Sequence, residues 1–169
     1  MTFTPPPLEF TDDRDRSVAL REFGDGPADE YEALVAMYGE FTAADRAHGL
    51  PPVVEARVRS WLDHVLEGIH VLAWHDAGDG ARPVGDAMLV PDDEDHELAI
   101  FVHPDYQQAR IGTHLIRALL GAGRRAGVAG VWLLADSDNE VAVALYERVG
   151  FDVTDRDGSE LTMRRSLTA

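Results

Sequence analysis

Between Glu97 and Ala135 the chain reads as a strand, a short loop, an amphipathic helix and a second strand. Glu97 to Val102 is a β-type run, and Pro104 to Arg110 breaks it. From about Gly112 to Arg125 the apolar residues recur at helical spacing, with Leu115, Ile116, Leu119 and Leu120 on one side. Gly127 and Gly130 end that helix. Val131 to Ala135 is wholly apolar, which predicts a central strand covered on both faces. Such a unit places the chain in the α/β class.

The flanking segments fit one domain over residues 1–169. After a proline-rich lead, Ser17 to Phe23 reads as a strand and Asp29 to Phe41 as a helix with Tyr31, Leu34, Val35 and Tyr38 on one face. Thr42 to Pro52 reads as a loop. A second helix follows, with Val54, Val58, Trp61, Leu62 and Val65 inward and Glu55, Arg59 and Asp63 outward. His70 to Trp74 and Pro83 to Val90 form a hairpin around Ala77–Ala81. Asn139 to Val149 reads as a short helix, and strands near Phe151–Asp155 and Glu160–Arg165 close the chain. The expected order is β-α-α-β-β-β-α-β-α-β-β.

Composition narrows the chemistry. The sequence has no cysteine and no lysine; all 15 basic residues are arginine. That excludes disulfides, thiolate metal sites, a cysteine nucleophile, a Schiff-base lysine and the lysine of a phosphate-binding P-loop. The seven histidines form no helical pair with metal-ligand spacing, so no metal is expected. A formal charge of −16 disfavours nucleic acid and anionic membranes as partners and favours a cationic or neutral one. The acidic residues, among them Asp12-Asp13 and Asp92-Asp93-Glu94-Asp95, read as a solvated surface of the salt-adapted kind, with an ordinary acidic cytosolic protein as the alternative. The first ten residues lack the basic and apolar parts of a signal peptide. No apolar run approaches the ~20 residues of a membrane helix. A cytoplasmic location is the expectation, and a homodimer stays open.

The start of the 112–125 helix leaves several backbone N–H groups without intrahelical partners, which suits an anion. At these residues, Val102-His-Pro-Asp-Tyr followed by Gln107-Gln-Ala-Arg110-Ile-Gly112, the sequence resembles the GNAT superfamily of acyl-CoA-dependent N-acyltransferases. Arg110 stands where that family usually has the middle glycine of its Gln/Arg-x-x-Gly-x-Gly/Ala signature. A second stretch, Asn139-Glu-Val-Ala-Val-Ala-Leu-Tyr146-Glu-Arg-Val-Gly150-Phe151, is similar to the family's Asn-x-x-Ala-x-x-Leu-Tyr-x-x-x-Gly-Phe. The resemblance runs from about residue 83 to 155.

The resemblance implies a single-domain α/β fold with a mixed β-sheet flanked by helices, and an acetyl-CoA-dependent N-acetyltransferase with acetyl-CoA as co-substrate and a primary amine as acceptor. That amine could belong to a protein lysine, a protein N-terminus, a polyamine or a small molecule. Ile100, Phe101 and Val102 would offer backbone groups to the pantetheine arm. Gln107, Gln108, Ala109, Arg110, Ile111, Gly112 and Thr113 would hold the pyrophosphate; Arg110 reads equally well as a solvated charge. One of Arg117, Arg124 and Arg125 could meet a 3′-phosphate. Glu97 is the first candidate for the base that a protonated amine requires, against a plain rim carboxylate. His96 is the second, and strand alternation sends it to the opposite face. Tyr146 would protonate the departing sulfur, against a packing aromatic. Asn139 would reach the pantetheine or cap its helix. The rival function is a non-catalytic CoA-binding sensor or interaction module with the same fold.

Overall fold

The computed structural model describes residues 2–46, 48–93 and 95–168. Its strands are β1 (Leu8–Thr11), β2 (Ser17–Glu22), β3 (Ile69–Asp76), β4 (Ala81–Asp92), β5 (Asp95–Val102), β6 (Gly130–Asp136), β7 (Asp152–Asp157) and β8 (Glu160–Ser166). The helices are α1 (Glu30–Gly39), α2 (Glu55–Val65), α3 (Ile111–Arg125) and α4 (Glu140–Arg148), with short 3₁₀ turns at Ala43–Asp45 and Pro104–Tyr106. The strands form one mixed sheet in the order β1-β2-β3-β4-β5-β6-β8-β7. β5 and β6 pair in parallel; the other neighbouring pairs are antiparallel.

Local chemistry explains the helix starts. Asp29 caps α1 by accepting from the Glu32 N–H at 3.2 Å, and Glu30 and Glu32 face the positive end of the helix dipole. Asn139 does the same for α4 through the Ala142 N–H, at 3.2 Å. The sheet then separates two cores. On one face, Val18, Leu20, Val71, Ala73, Leu98 and Leu133 pack under α3 and α4. On the other, Leu72, Trp74 and Met88 pack under α1 and α2. Alternation along β3 sends Val71 and Leu72 to opposite cores.

Four readings of the sequence need correction. β1 precedes the first expected strand; four residues are too few for a two-residue period to stand out behind a run of prolines. The lead itself crosses the outer side of α3, where a Cβ on Gly121 would lie 2.8 Å from the Pro5 nitrogen and 2.9 Å from the Thr4 carbonyl carbon. Phe3 is buried there, so α3 is covered on more than its expected side and Ala118 and Ala122 are buried too. β6 is not covered on both faces: Val131, Leu133 and Ala135 are buried in the α3/α4 core, but Trp132 and Leu134, on the same face as α1 and α2, are only half-buried and join neither core. Val54 is the N-cap of α2 and is exposed.

The α1/α2 core also holds a buried ionic network. Asp86 accepts from the Tyr38 hydroxyl at 2.6 Å and meets His70 Nδ1 at 2.8 Å. His70 Nε2 lies 2.8 Å from the Val65 carbonyl. With acceptors at both nitrogens, His70 donates twice and carries a proton on each. Burial works against that charge, but Asp86 and the Val65 carbonyl outweigh it and hold the imidazole above its ordinary range.

Candidate active site

β5 and β6 are in register only at His96–Val131 and Glu97–Trp132. Beyond that point the strands diverge, and β6 turns its other edge to β8 over its whole length. The β5 edge from Leu98 to Val102 is therefore without a strand partner on the β6 side. Backbone polar groups in such a place require water or a ligand. The gap opens into a cavity of about 170 Å³ lined by His48, Leu50, Glu97, Leu98, Ala99, Ile100, Phe101, Leu134 and Tyr146.

Glu97 alternates with Ala99 and Phe101 and so faces the α1/α2 side, where the loop after α1 brings His48 and Leu50. Its carboxyl is held above the usual range by desolvation first and by Asp92 second, with His48 opposing. Tyr146 comes from α4, on the far side of the gap, and burial pushes its hydroxyl up to about 12. The cavity thus brings together a carboxyl that ionises late and a phenol that keeps its proton. His96 alternates with Leu98 and Ile100 toward the α3 side, does not line the cavity, and leaves its Nδ1 buried without a hydrogen bond. Phe101 gives its side chain to the aromatic cluster with Tyr38 and Trp61, at centroid distances of 5.6 and 5.4 Å, which leaves its backbone to the gap.

The loop beyond β5 keeps the conformation that glycine would take. Gln108 and Arg110 both have positive φ, at 59° and 70°. A non-glycine residue in that region costs roughly 1 kcal/mol. Arg110 is the N-cap of α3 and provides no side-chain cap, so the N–H groups of Ile111, Gly112 and Thr113 face the loop mouth. Gly112 tests whether the loop fits a diphosphate. Its φ is ordinary, and a Cβ there would meet only Ile100 Cδ1 at 3.7 Å and Val102 Cγ2 at 4.0 Å, which is normal contact. No atom of the described residues demands glycine at 112, and the helix start beside it is open.

Other expected groups are already engaged. Gln107 donates to the Val102 carbonyl at 3.0 Å and to Asp45 at 3.1 Å, so its amide braces the loop. Ala109 is buried, and its carbonyl accepts from the Asp13 N–H at 3.2 Å. Asn139 Oδ1 is occupied by its capping bond. Arg124 donates to the Leu167 carbonyl at 3.2 Å, and Arg125 pairs with Glu22.

Sequence reasoning missed the braces behind this loop. Asp12, grouped above with the surface acids, is buried and accepts from the Arg14 and Arg16 N–H groups and from Arg16 Nε. Arg16 then stacks 4.0 Å over Tyr106 and donates to the Asp105 carbonyl at 3.1 Å. His103 Nδ1 accepts from the Asp105 N–H, which leaves Nε2 to donate to Glu40 at 3.0 Å. One signal was visible: Thr42-Ala-Ala-Asp45 is a capping-box pattern, and Asp45 accepts from the Thr42 N–H at 3.0 Å. Of the acidic run 92–95, Asp95 is half-buried and meets Arg164 at 2.9 Å, and Glu94 lies outside the described residues.

Comparison with known proteins supplies the family. The profile described as the Acetyltransferase (GNAT) family matches residues 32–151. A mycothiol acetyltransferase of Brachybacterium faecium is 33% identical over 125 residues, covering 62% of this chain and 38% of that protein. A [ribosomal protein bS18]-alanine N-acetyltransferase of Escherichia coli is 38% identical over 74 residues, covering 44% of this chain and 45% of that protein. The matched segments thus span less than half the length of either relative. Among solved structures, the PaiA N-acetyltransferase of Thermoplasma acidophilum in complex with coenzyme A superposes with a TM-score of 0.64 at 18% identity, over 88% of this chain and 98% of that one.

Proposed function

Because the chain belongs to the GNAT acetyltransferase family, we propose that it moves an acetyl group from acetyl-CoA to a primary amine by direct attack. The observation that carries the reading is the unpaired β5 edge, which ends at a helix start with free N–H groups and has Glu97 and Tyr146 at one cavity. An amide-rich pantetheine arm suits that edge as an added strand would, and the diphosphate suits the loop at Gly112.

In this reading Glu97 takes a proton from the acceptor ammonium, and its raised carboxyl range brings it closer to the task. The amine nitrogen bonds to the thioester carbonyl carbon, the carbon–sulfur bond breaks, and the Tyr146 hydroxyl gives its proton to the departing sulfur; the second proton shed by the nitrogen as the amide forms passes through water to restore the Tyr146 hydroxyl. The acceptor is expected to carry positive charge. A cavity of about 750 Å³ lined by Asp92, Asp93, Asp95, Trp132, Thr162 and Arg164 lies at the register partner of Glu97 and supports that choice. The names of the two relatives point to different acceptors, so the amine is left as a class.

An acetyl-CoA turnover assay over a panel of amines, in low and in molar salt, tests the reading. Glu97→Gln and Tyr146→Phe are each expected to lose about 100- to 10,000-fold in kcat/KM. The wild-type rate should rise as pH climbs through the raised Glu97 pKa, and Glu97→Gln should lose that acid limb. CoA binding without acetylation of any acceptor, unchanged in both variants, would instead support the sensor.

A further inference from the structure

A second cavity, of about 290 Å³, sits beside the first turns of α3 and is lined by Arg110, Thr113, Arg117, Leu145, Arg148 and Val149. Three guanidinium groups and no carboxylate line it. That reverses the average of a chain with 31 acidic and 15 basic residues. Several arginines elsewhere are answered by acids, as Arg16 is by Asp12, Arg59 by Glu32 and Arg164 by Asp95. Among the described residues, Arg117 and Arg148 have no carboxylate within ion-pair distance, and Arg110 has only the exposed Asp13, at 3.3 Å.

The neighbours register the resulting field. Burial first, then Arg117 and Arg110, hold the His114 imidazole below its ordinary range, with Asp13 opposing. Arg117 is also backed by the buried ring of Phe3, 5.4 Å from its guanidinium carbon. Like charges gathered this way repel one another unless an anion joins them. The cavity shares Arg110 and Thr113 with the loop that suits a diphosphate, and Arg117 stands one helical turn beyond Thr113.

We propose that Arg117 on α3 and Arg148 on α4 clamp the 3′-phosphate of the coenzyme A donor and make this chain select CoA over its 3′-dephospho form. The inference rests on the acetyl-CoA reading. A ribose 3′-phosphate lies within one nucleotide of the diphosphate, and this cavity adjoins the Gly112 loop through Arg110 and Thr113. Guanidinium forks from two helices match its oxygens from two sides.

Calorimetric titration of the wild-type chain, Arg117→Gln, Arg148→Gln and the double variant with CoA and with 3′-dephospho-CoA tests the clamp. The wild type should bind CoA about tenfold tighter, a modest factor because both side chains are exposed and screened. The double variant should bind the two ligands alike, at the wild-type affinity for 3′-dephospho-CoA, which also reports an intact fold. Molar salt should shrink the wild-type preference. Arg57→Gln, an exposed position on α2 across the sheet, changes the net charge equally and should keep the preference. Equal binding by the wild type, or a preference that survives in the double variant, overturns the clamp alone. No binding of either ligand by the wild type overturns the acetyl-CoA reading and the clamp together.

Discussion

The two sides of β5 are completed in different ways. Beneath α1 and α2, Tyr38, Asp86, His70 and the Val65 carbonyl close on one another away from water. At the β6 side, pairing stops after Glu97, and α3 begins without a side-chain cap. Polar groups satisfied within the chain contribute to holding it together. Groups of the same kind left open on a rigid frame are available to a ligand. The contrast separates residues whose loss should unfold the protein from residues whose loss should spare the fold and cost binding.

The largest effect is expected on the sealed side. Asp86→Asn leaves a buried imidazolium without its counter-charge and should destabilise the protein by about 3–5 kcal/mol in urea unfolding. A loss below about 1 kcal/mol would mean that the network is incidental to stability. The His70 pKa is raised in the folded state, so its contribution is complete below the ordinary value of 6.5 and fades as pH rises through the raised one. His70→Gln should flatten that alkaline decline.

On the open side the expected changes separate stability from binding. Gly112→Ala should leave the free protein as stable or raise it by about 0.5 kcal/mol, because alanine suits a helix better and meets no clash. CoA affinity should nevertheless fall about tenfold in a parallel titration. A variant that melts earlier and binds normally would assign Gly112 to the fold. The smallest change concerns Arg110, held at a φ of 70°. Arg110→Gly relieves that conformation and should stabilise the chain by about 1 kcal/mol in thermal melts. A decrease would show that the pairing with Asp13 outweighs the backbone cost.

Much of this was legible in the linear sequence. The order of helices, the hairpin at Ala77–Ala81, the cap at Asn139 and the helix start beyond Arg110 depend on neighbours a few residues apart. The family resemblance rests on two such stretches, around Gln107–Gly112 and Asn139–Phe151. β1 was not legible, since Leu8–Thr11 is a strand only by pairing with β2. The buried state of Asp12 was equally hidden, because an aspartate among polar neighbours looks solvated until Arg16 folds back on it. Asn139 shows the limit of reading roles: a cap and a ligand contact call for the same residue, and the structure displays the cap.

The sequence by itself determined the α/β class, the strand–loop–helix that suits a phosphate, and the presence of Glu97 and Tyr146 in suitable settings. Tertiary structure decided where β5 parts from β6, that Glu97 and Tyr146 share a cavity while His96 turns away, and that the loop is braced from both ends of the chain's first half. It also decided that Arg117 and Arg148 line one cavity. The physical reason is range. Periodicity and capping act over one or two turns, whereas Arg16 reaches the Asp105 carbonyl across 89 positions and Gln107 reaches Asp45 across 62, through contacts that exist only once the sheet has formed.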